Sequence, residues 1–190
     1  MPKFLKIEFS FCVFAVAFLL LVPLKLAIAW LLAVSVHELC HYIALQIYGT
    51  HIYTIRLRGF GVFMETEPLS GNQELVCALA GPVGGLCTML LGKWMPCAAI
   101  CSFILSGYNL IPIYPLDGGR ALKCIMGKFF SNKIAEKITF FVADLLLALL
   151  GLCAIWMTWK YNAGILPLLF VLLLFARNHR EKFLANRGDK

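Results

Sequence analysis

The sequence predicts an all-α polytopic membrane protein with about six transmembrane helices and a small membrane-associated β-hairpin after the second helix. Two observations predict this class. Hydrophobic residues make up 61% of the 190 residues and charged residues only 14%. The apolar residues also form runs long enough to cross a bilayer, separated by short basic loops. We expect one membrane-embedded domain over residues 1–190, with its core at 26–120 and a basic cytosolic tail at 177–190.

The first two apolar runs predict spans over residues 7–22 and 26–48, with a turn at Pro23 between them. The basic and then apolar N-terminus also resembles a secretory signal. We predict a retained span instead, because the apolar sequence continues past the possible cleavage site into the second span. Gly49 follows the second run and is a typical residue for ending a helix.

Residues 52–64 contain two runs rich in β-branched and aromatic residues around Gly59 and Gly61, which predicts a β-hairpin. An irregular interfacial loop is the alternative. A hairpin would present a strand edge with which an extended peptide could pair. The residues expected to contact such a peptide are Ile55, Leu57, Phe60 and Val62.

Four further apolar runs predict the remaining spans. They cover residues 75–91, residue 97 to a break near 109–120, residues 138–156 and residues 165–176. Small residues at 80–85 in the third predicted span favour close helix packing, and Pro82 can kink the helix. Residues 119–137 mix basic and apolar side chains, which predicts an amphipathic connector on an anionic membrane surface.

Asp144 is a charged residue inside the fifth predicted span. We interpret it as a polar contact near the inner leaflet. A gate, or a partner of a functional residue, is the alternative.

A His-Glu-x-x-His motif lies inside the second predicted span. His37 and His41 are one helical turn apart, so both imidazoles can reach one metal ion. Glu38 follows the first histidine, where a carboxylate can act as a base towards water. A chance match whose polar groups sit at the membrane interface is the alternative. Ionisable groups at membrane depth are costly and usually functional, which favours a metal site.

Asp117 follows two prolines that break the fourth predicted span. Irregular backbone at this depth must line protein or water, so its carboxylate is free to point at a metal ion. An ordinary turn aspartate is the alternative. The six-span plan places this break and the two histidines at similar depth, which supports a shared site.

The eight cysteines include no C-x-x-C pair and lie mainly in apolar segments, so we expect small buried side chains rather than disulfides. The net charge of +7 does not indicate a nucleic-acid partner, because the basic residues lie in loops and tails. Most of them fall on one side of a six-span plan. The positive-inside rule therefore predicts that both termini are cytosolic.

These motifs together resemble the site-2-type intramembrane zinc metalloproteases of family M50. The resemblance lies in the His-Glu-x-x-His motif and in Asn109-x-x-Pro112-x-x-Pro115-Leu116-Asp117-Gly118, with Ala80-Gly81-Pro82 and the hairpin in addition. The compact plan is most similar to the bacterial sporulation branch, whose members release a membrane-tethered sigma factor. Where the family often has an asparagine in the third span, this chain has Gly85, so no polar role carries over to that position.

The resemblance implies a metalloendopeptidase that acts in regulated intramembrane proteolysis in a bacterial inner membrane. It implies one Zn²⁺ per chain held by His37, His41 and Asp117, with Glu38 as the catalytic base. Asn109 would be a further catalytic residue that holds the substrate backbone or the transition state. The expected partners are a membrane-tethered protein substrate, the lipid bilayer and regulatory membrane proteins.

Two other functions remain open on the sequence alone. A membrane metal transporter or metal-binding module would also place histidines and carboxylates at depth. An inactive relative would bind helices without cutting them.

Overall fold

The computed structural model describes residues 4–59, 61–162 and 164–188. These residues contain seven α-helices and three β-strands, which confirms the predicted class of a helical protein with a small β element. In chain order the elements are β1 (Phe4–Ile7), α1 (Phe9–Leu21), α2 (Leu24–Ile47), β2 (Ile52–Arg58), β3 (Gly61–Thr66), α3 (Gly71–Cys87), a 3₁₀ helix (Thr88–Leu91), α4 (Pro96–Asn109), α5 (Asp117–Met126), α6 (Asn132–Tyr161) and α7 (Leu166–Gly188).

Within the part of the chain that the structure describes, three helices are long and apolar enough to cross a membrane. They are Leu24–Ile47, Gly71–Leu90 and Asn132–Tyr161, which correspond to the second, third and fifth predicted spans. The other predicted spans coincide with α1, α4 and α7. The first two are only 13 and 14 residues long, about 20 Å each at 1.5 Å per residue, and α7 becomes charged after Ala176. Six helices are present where spans were predicted, but three fall short of the length or composition of a full span.

The chain forms two compact units, one up to Tyr108 and one from Asn109 onward. In the first unit, α2 begins directly after Pro23 and ends before Gly49. Gly49 has a φ of +64°, and its N–H donates to the carbonyl of Gln46. This left-handed glycine ends the helix, as the sequence predicted.

The predicted hairpin is present as β2 and β3, which are antiparallel, but it is part of a larger sheet. The first strand, β1, pairs in parallel with the other edge of β2, so the strand order is β1-β2-β3. The sequence analysis did not predict β1. Its four residues are separated from β2 by two helices, and so short a strand forms only because β2 offers it an edge.

Small side chains allow α2 to lie close to its neighbours. The buried residues of α2 include Ala27, Ala29 and Ala33, and the last two pack with Cys101 of α4. Near the C-terminal end of the same helix, Ala44 and Leu45 pack with Cys77 of α3. Because lipid gives no hydrophobic drive for helix association, close contact through small residues is the main means of holding such helices together.

The second unit consists of α5, α6 and α7, with α6 packed on both of the others. The predicted amphipathic connector is present as α5, a turn, and the first residues of α6, and Lys123 forms an ion pair with Glu136 at 3.3 Å. Asp144 accepts hydrogen bonds from Asn178 and Lys182 of α7, each at 2.9 Å. Asp144 is therefore a polar contact between α6 and α7, and its place near the inner leaflet stays a prediction.

All eight cysteines are free thiols. Only Cys77, Cys101 and Cys124 are buried, so the expectation of buried side chains is met by three of the eight.

Candidate metal centre

His37 and His41 lie one turn apart on α2, and their rings converge. The two Nε2 atoms are 3.2 Å apart, and the ring planes meet edge-on at 81°. His37 is buried, with 3% of its surface exposed. Zinc–nitrogen bonds are about 2.0–2.1 Å, so two nitrogens on one ion are at most about 4.2 Å apart. The observed separation fits a shared metal ion.

The other ring nitrogen of His41 is held by the backbone of α3. His41 Nδ1 lies 2.7 Å from the carbonyl oxygen of Cys77. A carbonyl oxygen can only accept, so the proton is on Nδ1 and the lone pair is on Nε2. This hydrogen bond fixes the tautomer that a metal ligand needs and also the direction of the ring.

Asp117 is the first residue of α5 and is buried. The two glycines that follow it allow α5 to begin directly against the preceding loop. An added Cβ at Gly118 would meet the carbonyl of Leu110, and one at Gly119 would meet the backbone of Ile113. The close contact with this loop therefore fixes where α5 begins, and with it the position of Asp117.

His37, His41 and Asp117 form a His–His–Asp group that could hold a metal ion, with ligand atoms all within 4.8 Å of one another. Two imidazoles and one carboxylate are a donor set that zinc commonly uses at catalytic sites, where a fourth position stays open.

The remaining residues predicted for the site lie as follows. Glu38 is half-buried on α2, directly after His37, and Asn109 is the half-buried last residue of α4. Both make polar contacts. Phe60 lies outside the described residues.

Among the hairpin residues, Ile55 and Leu57 are on β2, which is paired on both sides. Because β1 occupies the other edge of β2, a peptide cannot pair with the backbone of these two residues. Contact of their side chains with a substrate stays a prediction. Ile55 also packs against the buried cluster of Ala44, Leu45, Ile52 and Cys77. Val62 is on β3, which pairs on one side only among the described residues.

The sequence analysis missed two contributions to the site. The acceptor for His41 is the backbone of Cys77, which no side-chain motif can indicate. The ring of His41 also lies against Gly81, where an added Cβ would meet Nε2, Cδ2 and Cε1. The run of small residues at 80–85 is the available signal for this contact, but by itself it predicts close helix packing and adds to the family resemblance, without pointing to His41.

Comparison with known proteins relates the chain to zinc metalloproteases. Residues 91–153 match the model of Peptidase family M50, and this segment includes Asp117. A zinc metalloprotease from Methanocaldococcus jannaschii is 29% identical over 159 residues, which cover 70% of this chain and 47% of that protein. A protein of Synechocystis sp. named as a candidate zinc metalloprotease is 32% identical over 128 residues, which cover 58% of this chain and 34% of that protein. The chain thus spans about half the length, or less, of these curated relatives.

The fold is also shared with a solved structure. A site-2 protease from Methanocaldococcus jannaschii matches with a TM-score of 0.68, covering 93% of this chain and 89% of that chain at 22% identity. Family model, relatives and fold together confirm the resemblance to the site-2-type M50 metalloproteases that the two sequence motifs indicated.

Proposed function

We propose that this chain is a zinc-dependent intramembrane metalloendopeptidase. Its substrate would be a membrane-tethered protein, cut at a peptide bond in or near the transmembrane segment. The observation that carries the proposal is the His–His–Asp group, because it is a typical zinc donor set and Glu38 directly follows its first histidine in the sequence. The metalloprotease relatives and the shared fold support the same activity.

One Zn²⁺ per chain would be held by His37, His41 and Asp117. When bound, zinc supplies a Lewis acid for the scissile carbonyl and makes water a nucleophile near neutral pH. The protein contributes the direction of the ligands. The Cys77 carbonyl keeps the proton of His41 on Nδ1, so that Nε2 remains a donor for the metal.

Glu38 would act as the general base. Its carboxylate accepts a proton from the attacking water and then gives that proton to the nitrogen of the leaving amine. Asn109 would donate a hydrogen bond from its side-chain amide to the carbonyl oxygen as negative charge develops there. Removal of one such donor in comparable sites costs about 3 kcal/mol of transition-state stabilisation.

A transmembrane substrate helix must unwind before its backbone can reach the site, because its amides are otherwise used within the helix. We infer that the unwound segment pairs with the edge of β3 that no described strand occupies, and β3 carries Val62. The strand β2 would hold β3 in place through its pairing with the opposite edge of β3. Ile55 and Leu57 would then contribute to substrate binding indirectly, by stabilising β3.

The finer assignments follow the resemblance to the sporulation branch. They are a membrane-tethered sigma-factor precursor as the substrate, regulated intramembrane proteolysis as the process, and regulatory membrane proteins as further partners. The basic loops and tails support an orientation with both termini in the cytosol. A bacterial inner membrane follows the same resemblance.

The test is co-expression of the full chain with epitope-tagged, membrane-tethered candidate substrates. Glu38→Gln is the matched variant, because it keeps the size and hydrogen bonding of the side chain but removes the base. We expect cleavage by the wild type and a loss of about 10²–10⁴-fold in the variant. Full cleavage by the variant would contradict the proposal. Uptake of zinc into vesicles without any cleavage would support the transporter instead.

A further inference from the structure

We propose that one turn of α3, from Cys77 to Gly81, is a cradle that positions His41, and that Gly81 is a positioning residue for the metal site. The proposal rests on the metal-binding role of His41 proposed above. It goes further by assigning a role to the small residues of α3, which otherwise only pack against α2.

The first half of the cradle is the Cys77 carbonyl, which lies 2.7 Å from His41 Nδ1. Its position is fixed because the Cys77 side chain is 3% exposed and packs with Ala44, Leu45 and Ile52. These neighbours belong to α2 and to the first residue of β2. The acceptor for His41 is therefore tied to a buried cluster rather than to a mobile side chain.

The second half is Gly81, four residues after Cys77 and so on the same face of α3. A Cβ added at Gly81 would come too close to three ring atoms of His41, and the nearest of them is Nε2. The ring cannot move away freely, because its opposite nitrogen is bound to Cys77. Any side chain at Gly81 must therefore displace the atom that would hold the metal.

Gly84 provides a matched comparison on the same pair of helices. An added Cβ there would meet Cys40 Sγ and Cβ, and Cys40 is not one of the three proposed ligands. Alanine at either glycine therefore adds a methyl group to the close contact between α2 and α3. Only the change at Gly81 acts directly on a ligand.

The experiment measures zinc affinity of the purified full chain in detergent by competition with a chelator. It compares the wild type, Gly81→Ala and Gly84→Ala. We expect Gly81→Ala to bind zinc about 10–100-fold more weakly, the usual effect of disturbing the groups that orient a ligand. Gly84→Ala should stay close to the wild-type affinity. Equal weakening in both variants, or unchanged affinity in Gly81→Ala, would overturn the proposal.

A double variant covers the case in which Gly81→Ala does not fold. Removing the ring removes the clash, so Gly81→Ala/His41→Ala should recover the yield and monodispersity of His41→Ala alone. A double variant that still fails would show that the added methyl clashes elsewhere, which would overturn the cradle. The two proposals fail separately. Normal zinc binding without cleavage contradicts only the protease, and unchanged zinc affinity in Gly81→Ala contradicts only the cradle.

Discussion

Substitution of Asp144 by alanine should destabilise the contact between α6 and α7. Asp144 accepts hydrogen bonds from Asn178 Nδ2 and Lys182 Nζ, both at 2.9 Å. Asn178 is 1% exposed, so its lost partner costs about 1–3 kcal/mol. The Lys182 pair is over 40% exposed on both sides, and such pairs contribute at most about 1 kcal/mol. We therefore expect Asp144→Ala to lower the free energy of unfolding by roughly 1–4 kcal/mol.

Asp144→Asn is the matched control, because it keeps an oxygen acceptor for Asn178 and removes only the charge. It should cost less than about 1 kcal/mol. The assay is reversible unfolding in mixed detergent micelles, followed by circular dichroism. A double-mutant cycle with Lys182→Met separates the ion pair from the bond to Asn178.

Two results would refute this reasoning. If Asp144→Asn destabilised the protein as much as Asp144→Ala, the charge rather than the buried hydrogen bond would hold the helices. If both variants lost cleavage while keeping wild-type stability, Asp144 would act in gating or beside the active site instead of as a structural contact.

Three further predictions concern the first unit. Gly85→Ala should cost about 1–3 kcal/mol of unfolding free energy, because its Cβ would meet Ser106 Oγ. Adding Ser106→Ala should restore most of the loss, because the added Cβ would lie 3.6 Å from the Cβ of residue 106. A double variant that shows no recovery in thermal unfolding would contradict this. Arg58→Ala should cost below about 1 kcal/mol, because its 2.7 Å pair with Glu8 is partly exposed; a larger loss in the same assay would be contrary evidence. Val62→Ala should raise KM several-fold with little change in kcat, and a fall in kcat alone would exclude strand pairing at β3.

Local signals predicted much of the helical fold. Pro23 and Gly49 mark the two ends of α2. Pro23 fixes the backbone before the helix, and Gly49 adopts the left-handed conformation after it. The break between α4 and α5 follows from the two prolines of the intervening loop. The spacing of His37 and His41 fixes their common face, which is why the convergence of the two rings could be predicted without a structure.

The remaining features depend on contacts between distant segments. The strand β1 forms only through parallel pairing with β2, some 50 residues later, so its own sequence carries little signal. The edge of β2 beside Ile55 and Leu57 is occupied for the same reason. The carbonyl of Cys77 is a backbone group, and its use by His41 depends on how closely α3 approaches α2.

The most direct test of the metal site is the zinc content of purified protein, measured per chain by elemental analysis after dialysis. The wild type and Glu38→Gln should each retain one zinc ion, since Glu38 is proposed as a base and not as a ligand. Asp117→Ala should lose most of it, because the His–His–Asp group would be reduced to two donors. Retention of a full equivalent of zinc by Asp117→Ala would contradict the account.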